Sequence, residues 1–161
     1  MTVAVFSDTH GLTAPMADAV SACRPDAVVH LGDYDRDTKV LLTRFPEIPL
    51  CSVAGNCDFV SSSPNVLTVS FGPVRAFLTH GHLYHVDYGR VDSLVYAAQE
   101  AGCSLVLFGH THTPFHQDFG GVKVVNPGTA GKGRRLSWAL LRVYENGGIA
   151  VEMQEFDTSR R

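Results

Sequence analysis

Val3-Ala4-Val5-Phe6-Ser7-Asp8-Thr9-His10-Gly11 opens as a short apolar run and stops on a carboxylate and an imidazole one residue apart. An apolar run of this length ended by polar turn residues reads as a buried strand. Phe108-Gly109-His110-Thr111-His112-Thr113 repeats the arrangement after Ser104-Leu105-Val106-Leu107. Side chains alternate along an extended chain, so residues i and i+2 share a side, and each pair is expected to grip one centre or two adjacent ones. Three further turns close apolar stretches with polar groups: Gly32-Asp33, Gly55-Asn56-Cys57-Asp58 and Thr79-His80-Gly81. Five such turns in one chain point to convergence on a metal centre.

Working outward, Val3 to Phe6, Asp26 to Leu31 and Leu50 to Val53 read as strands. They are separated by a helix from about Thr13, with Ala17, Val20 and Ala22 facing the core, and a shorter helix from Thr38 to Arg44. Strands alternating with helices predict parallel βαβ units, whose ligands sit beyond the carboxyl ends of the strands. The middle predicts a hairpin, Val66 to Phe71 and Val74 to Thr79 about Gly72-Pro73, then a helix from Arg90 to Ala101 closed by Gly102. After the strand at Leu105 to Phe108 come two more hairpins, Phe115 to Phe119 with Val122 to Val125, and Ser137 to Tyr144 with Ile149 to Phe156. Ser159 to Arg161 reads as a frayed tail.

The chain has 161 residues, 45% of them hydrophobic, enough for one domain spanning 1–161 with a sizeable core. Thirteen basic and sixteen acidic side chains leave a net charge of -3, which argues against nucleic acid as the partner. The apolar runs fall far short of the roughly 20 residues of a membrane span. With no signal segment before Asp8 and four cysteines scattered without a Cys-x-x-Cys pair, a cytoplasmic protein with reduced thiols is expected. Cys23 and Cys103 read as packing residues.

Carboxylates, imidazoles and an amide oxygen form a mixed oxygen and nitrogen donor set, suited to Mn²⁺, Fe or Zn²⁺ rather than Ca²⁺. If Asp8 and Asp33 are the only anionic ligands, two divalent ions leave an excess of about two positive charges, which attracts a phosphate and favours phosphoester hydrolysis.

In their order, Asp8-Thr9-His10, Gly32-Asp33, Gly55-Asn56-Cys57-Asp58, His80-Gly81 and Gly109-His110-Thr111-His112 resemble the calcineurin-like metallophosphoesterase superfamily. Gly55-Asn56-Cys57-Asp58 and Asn126-Pro127-Gly128-Thr129 are most similar to its small one-domain phosphodiesterases. The resemblance implies an α/β fold, a four-layer αββα sandwich of two mixed sheets flanked by helices. It implies Asp8, His10 and His112 on one metal, Asp33 bridging, and Asn56, His80 and His110 on the second. Mn²⁺ is the implied ion, with Fe, Zn or Ni as substitutes, and a hydroxide bridging the pair is the implied nucleophile. A small phosphoester is the implied substrate, and self-association into a homo-oligomer is a further expectation of the resemblance. The same fold also carries a retromer-subunit-like scaffold without catalysis, and larger relatives include nucleases.

Around this set, Asp58 is expected to orient a ligand or bound water, and Asn126 to abut the site from its turn. His82 is expected in the outer shell or against substrate, while His30 reads as a structural core histidine and His85 and His116 as surface residues. Tyr84, Asp87 and Tyr88 are candidates to shape a substrate pocket, and Arg134 and Arg135 either clamp a phosphate or stay solvated. Cys57 stands where larger members of the superfamily place a histidine that protonates the leaving group. A thiol is a poor general acid at neutral pH, so esters with good leaving groups are the expected substrates.

Overall fold

A computed structural model describes residues 1–87 and 90–156; Tyr88 and the tail from Ser159 lie outside the described residues. The strands are β1 (Thr2–Phe6), β2 (Ala27–His30), β3 (Leu50–Ser52), β4 (Val66–Phe71), β5 (Val74–Thr79), β6 (Leu105–Leu107), β7 (Phe115–Phe119), β8 (Val122–Asn126), β9 (Ser137–Val143) and β10 (Ile149–Glu155). The helices are α1 (Ala14–Cys23), α2 (Lys39–Arg44) and α3 (Asp92–Glu100). A 3₁₀ turn at Asp35–Thr38 runs into α2, and another spans His82–Tyr84.

Two five-stranded mixed sheets result, ordered β10-β9-β1-β2-β3 and β4-β5-β6-β8-β7. The β1, β2 and β3 strands are parallel, as the alternation of strands and helices predicts, and β9 joins the other edge of β1 antiparallel. Strand alternation assigns the layers. Val3 and Val5 of β1 pack into the cluster between the sheets with Leu78, Leu105, Leu107 and Leu141, while Ala4 and Phe6 face α1 and α2. Each such Leu, fully buried, contributes about 1.5–3 kcal/mol. Phe6 stacks on Trp138 with ring centroids 5.3 Å apart, tying β1 to β9 beneath the helices. On the far side, Phe77, Val106 and Phe108 pack against Leu94 and Ala98 of α3. The order helix, sheet, sheet, helix is the predicted sandwich.

Pro15 occupies the first turn of α1, where its missing N–H costs nothing. The core face of that helix differs from expectation in one position: Ala17 and Val20 are buried, but Ala22 is exposed and Met16 fills its place. Met16 lies one position before Ala17 and four before Val20, so the helical period puts it on the same face. No helix among the described residues is long and apolar enough to cross a membrane.

Candidate metal centre

Asp8 follows the end of β1 by two residues and is completely buried. Its backbone N–H donates to Gly32 O at 3.0 Å, and its carbonyl accepts from Gly131 N–H at 3.1 Å and Thr129 Oγ at 3.1 Å. The side chain is held as firmly. Oδ2 accepts from Ser7 Oγ at 2.5 Å and from the His110 N–H at 3.2 Å, while Oδ1 lies 3.0 Å from His112 Nε2. Burial pushes the carboxyl upward, but the hydrogen bond from His112, the neighbouring His80 ring and the Ser7 hydroxyl outweigh it and hold it below the ordinary value. The same contact raises His112, against the effect of its partial burial.

The paired ligands converge by a different route from the expected one. Asp8 and His10 have φ of 56° and 45°, His110 and His112 of 69° and 57°, and Asp33 of 56°, so these residues lie in the left-handed region rather than on extended strand. Strand alternation therefore ends at Phe6 and Leu107, and tight left-handed turns aim the side chains. Non-glycine residues in this region carry backbone strain, which collects at functional sites. Five of the seven expected ligands share it.

Asp8, His10, Asp33 and His112 place one donor atom each within 4.8 Å of one another. His10 Nε2 is buried with no hydrogen-bond partner, 3.9 Å from Asp8 Oδ1 and 3.7 Å from Asp33 Oδ2. Those distances are too long for hydrogen bonds, and an orphaned nitrogen facing two carboxylates is the arrangement a cation satisfies. Burial also holds His10 below its ordinary pKa, keeping the lone pair available against the pull of the nearby carboxylates.

His80 builds the other half of the cluster. Its Nδ1 lies 2.7 Å from Leu31 O; a carbonyl can only accept, so Nδ1 carries the proton and Nε2 presents its lone pair inward. That Nε2 lies 3.5 Å from Asp33 Oδ1 and 3.1 Å from Asn56 Oδ1, and Asn56 Oδ1 is in turn 3.0 Å from His110 Nδ1. Atoms able to ligate a metal, from four residues, thus gather around a second point. Asp33 touches both halves, and all seven residues meet at one end of the two sheets. These donors fit divalent ions: His10, Asp8 and His112 would hold one, Asn56, His80 and His110 another, with Asp33 between them.

Gly109 is required by the approach of this turn to β1. A Cβ there would lie 2.0 Å from Ser7 Oγ and 2.9 Å from Asp8 Oδ2.

Around the cluster, Asp58 accepts hydrogen bonds, and it is the backbone of the ligand loops that its carboxylate grips. Oδ1 accepts from the N–H of Tyr34 at 2.8 Å and of Asp35 at 3.0 Å, and Oδ2 from Gly55 N–H at 2.8 Å, pinning the Asp33 and Asn56 loops together. Cys57 N–H donates to Asp33 Oδ1 at 2.8 Å, and burial with the neighbouring Asp33 carboxylate pushes the thiol up to about 11. Asn126 abuts the site as expected: its Nδ2 donates to Gly109 O at 2.8 Å and Thr111 Oγ at 3.0 Å, and its Oδ1 accepts from Gly128 N–H at 2.8 Å. His82 lies with its ring centroid 5.4 Å from His80 and 6.2 Å from His110, and its Nδ1 is buried without a partner.

His30 is fully buried; its Nδ1 accepts from Gly32 N–H at 3.3 Å, so Nε2 carries the proton and donates to Thr9 Oγ at 3.1 Å. His85 and His116 are exposed. Tyr84 packs edge-on against Phe77, and Arg134 and Arg135 are exposed with no hydrogen bond or ion pair among the described residues. Ser7 and Thr129, which fix Asp8, stand in the quoted turns without an assigned role, because a small hydroxyl residue at a turn is uninformative until its partner is known.

The calcineurin-like phosphoesterase superfamily domain model matches residues 1–146, and the chain belongs to that family. It is 31% identical to the probable metallophosphoesterase YsnB of Bacillus subtilis over 132 residues, 80% of this chain and 75% of that protein. Among solved structures, the Vps29 of Entamoeba histolytica complexed with Zn²⁺ superposes with a TM-score of 0.78 at 21% identity, covering 98% of this chain and all of that one. An archaeal phosphodiesterase superposes with a TM-score of 0.73 at 19% identity, covering 96% of this chain and 100% of its own.

Proposed function

We propose that this metallophosphoesterase hydrolyses phosphodiesters with two divalent ions, Mn²⁺ foremost, seated in the Asp8, His10, Asp33, Asn56, His80, His110 and His112 cluster. The observation that carries the proposal is the buried, partnerless Nε2 of His10 opposite Asp8 and Asp33. Its counterpart is the inward lone pair of His80, enforced by Leu31 O. Ions held there would supply Lewis acidity and make water acidic enough to serve as a nucleophile. The protein's own part is orientation: Ser7 and the His110 N–H hold Asp8, while the Leu31 carbonyl holds His80. Phosphodiester preference is supported by the shape shared with the archaeal phosphodiesterase, and a preference for good leaving groups by the absence of an imidazole at Cys57. The four cysteines are unpaired, which fits a cytoplasmic setting.

A second reading, a scaffold that binds protein, is favoured by the shape shared with Vps29 and by Phe59 and Val60, exposed at 91% and 101% just beyond the Asn56 loop. An activity screen with Mn²⁺, Fe²⁺, Zn²⁺ and Ni²⁺ over phosphomonoesters, phosphodiesters and single-stranded DNA and RNA separates the possibilities. Turnover of a small diester, abolished in Asp33→Ala and His80→Ala, is the expected result. Turnover surviving both substitutions overturns the ligand set, and no turnover with any ion favours the scaffold.

A further inference from the structure

A cavity of about 550 Å³ opens beside His110. Its floor is apolar: Val86 and Phe108 are buried, and Phe108 meets the half-buried Phe115 edge-on with ring centroids 6.3 Å apart. Its rim is polar, with Asp87 and Thr113 exposed and Thr111 half-buried. The cavity adjoins the metal centre at two points. His110 is a wall of the cavity and also sets its Nδ1 3.0 Å from Asn56 Oδ1. Gly81, next to His80, leans on the floor so closely that a Cβ there would lie 2.9 Å from Val86 Cγ2 and 3.4 Å from Phe108 Cδ2.

The chemistry of the lining selects an occupant. The volume lies within the roughly 300–1,000 Å³ of small-molecule sites and far exceeds what a methyl or ethyl ester substituent fills. A second phosphate is disfavoured, because an apolar floor leaves it unpaired and the Asp87 carboxylate repels it. A flat neutral ring suits the paired phenylalanines. The rim adds an edge code. Thr111 Oγ accepts from Asn126 Nδ2 and so keeps its own hydrogen to donate, while Asp87 can only accept. Nucleobases carry both carbonyl and N–H groups to complement such a donor and such an acceptor, where a plain aryl group carries neither.

We infer that this cavity is the subsite for the nucleoside part of a nucleotide diester whose phosphate sits at the metal centre, an inference resting on the phosphodiesterase proposal. The test compares thymidine 5′-monophosphate p-nitrophenyl ester with methyl p-nitrophenyl phosphate, which release the same leaving group. The wild type is expected to favour the nucleoside ester about tenfold or more in kcat/KM, the scale of discrimination an apolar pocket supplies. Phe115→Ala and Asp87→Ala are each expected to lower that ratio severalfold; because it is a ratio, loss of folded or metal-loaded enzyme cancels. A wild-type ratio near one, or a ratio that neither variant moves, overturns the subsite. If neither ester is cleaved, the phosphodiesterase proposal fails by itself. Calorimetric titration with thymidine 5′-monophosphate methyl ester then decides the cavity: binding weakened by Phe115→Ala supports it, and no binding overturns it.

Discussion

Asp58→Asn changes one atom in a residue that touches none of the expected ligands' side chains, yet it is expected to be among the more damaging substitutions near the site. The carboxylate accepts three backbone N–H groups, two on Oδ1 from Tyr34 and Asp35 and one on Oδ2 from Gly55. The amide keeps one oxygen. Turned to retain Tyr34 and Asp35, it sets its NH₂ against the Gly55 N–H, replacing a charge-assisted bond with two opposed donors. Such bonds are worth about 1.5–3 kcal/mol each, and Asp58 is only partly buried, so a net loss of about 2–3 kcal/mol is expected. In a chain of this length that lowers Tm by roughly 5–10 °C. Urea unfolding in the presence of chelator measures the loss without metal linkage. A calorimetric Mn²⁺ titration measures the second consequence, a weakening of about ten- to a hundredfold at the Asn56 half of the cluster, as for other groups that orient metal ligands. Metal-free Asp58→Asn within about 0.5 kcal/mol of wild type, below the worth of one ordinary hydrogen bond, would refute the crosslinking role.

Other outcomes follow from the same geometry. Burial holds His30 below its ordinary pKa, so the unfolded chain takes up its proton first as pH falls. That contribution to stability is present above about pH 6.5 and is lost below it, so metal-free Tm should fall from pH 7.5 to 5, and His30→Gln should flatten the curve. Asn126→Asp turns both donors into acceptors facing Gly109 O and Thr111 Oγ in a fully buried position. A loss of about 3 kcal/mol or more is expected, read by thermal melts, together with weaker metal binding by His110 and His112. Cys57→His should raise turnover of alkyl diesters relative to aryl ones by ten- to a hundredfold, since general acid catalysis matters most for poor leaving groups. Equal wild-type rates on alkyl and aryl diesters, with chemistry limiting, would contradict the leaving-group argument.

Much of the architecture is legible in the chain because apolar runs and turn residues coincide. Val66–Phe71 and Val74–Thr79 flank Gly72-Pro73 where the pattern puts them. The ligand-bearing turns are equally visible, because each closes an apolar stretch. What stays hidden is long-range or conformational. Nothing local to Ser137–Val143 says that it pairs with β1 rather than extending the other sheet; that choice is made by packing such as Trp138 on Phe6. The left-handed φ of Asp8, His10, His110 and His112 is also invisible, since residues of the same types sit in ordinary turns. Asp58 is legible as a residue that orients the site, and only the spacing of three N–H groups around it shows that backbone is what it holds.

The position of β9 alongside β1 bears on how the protein is made. Every expected metal ligand lies at or before His112, whereas the strand that flanks the Asp8-bearing strand begins at Ser137. During synthesis the whole donor set therefore emerges while β1 still has an open edge, and that edge closes only when the C-terminal hairpin arrives. Any ion captured by the nascent chain would therefore meet a half-built vessel.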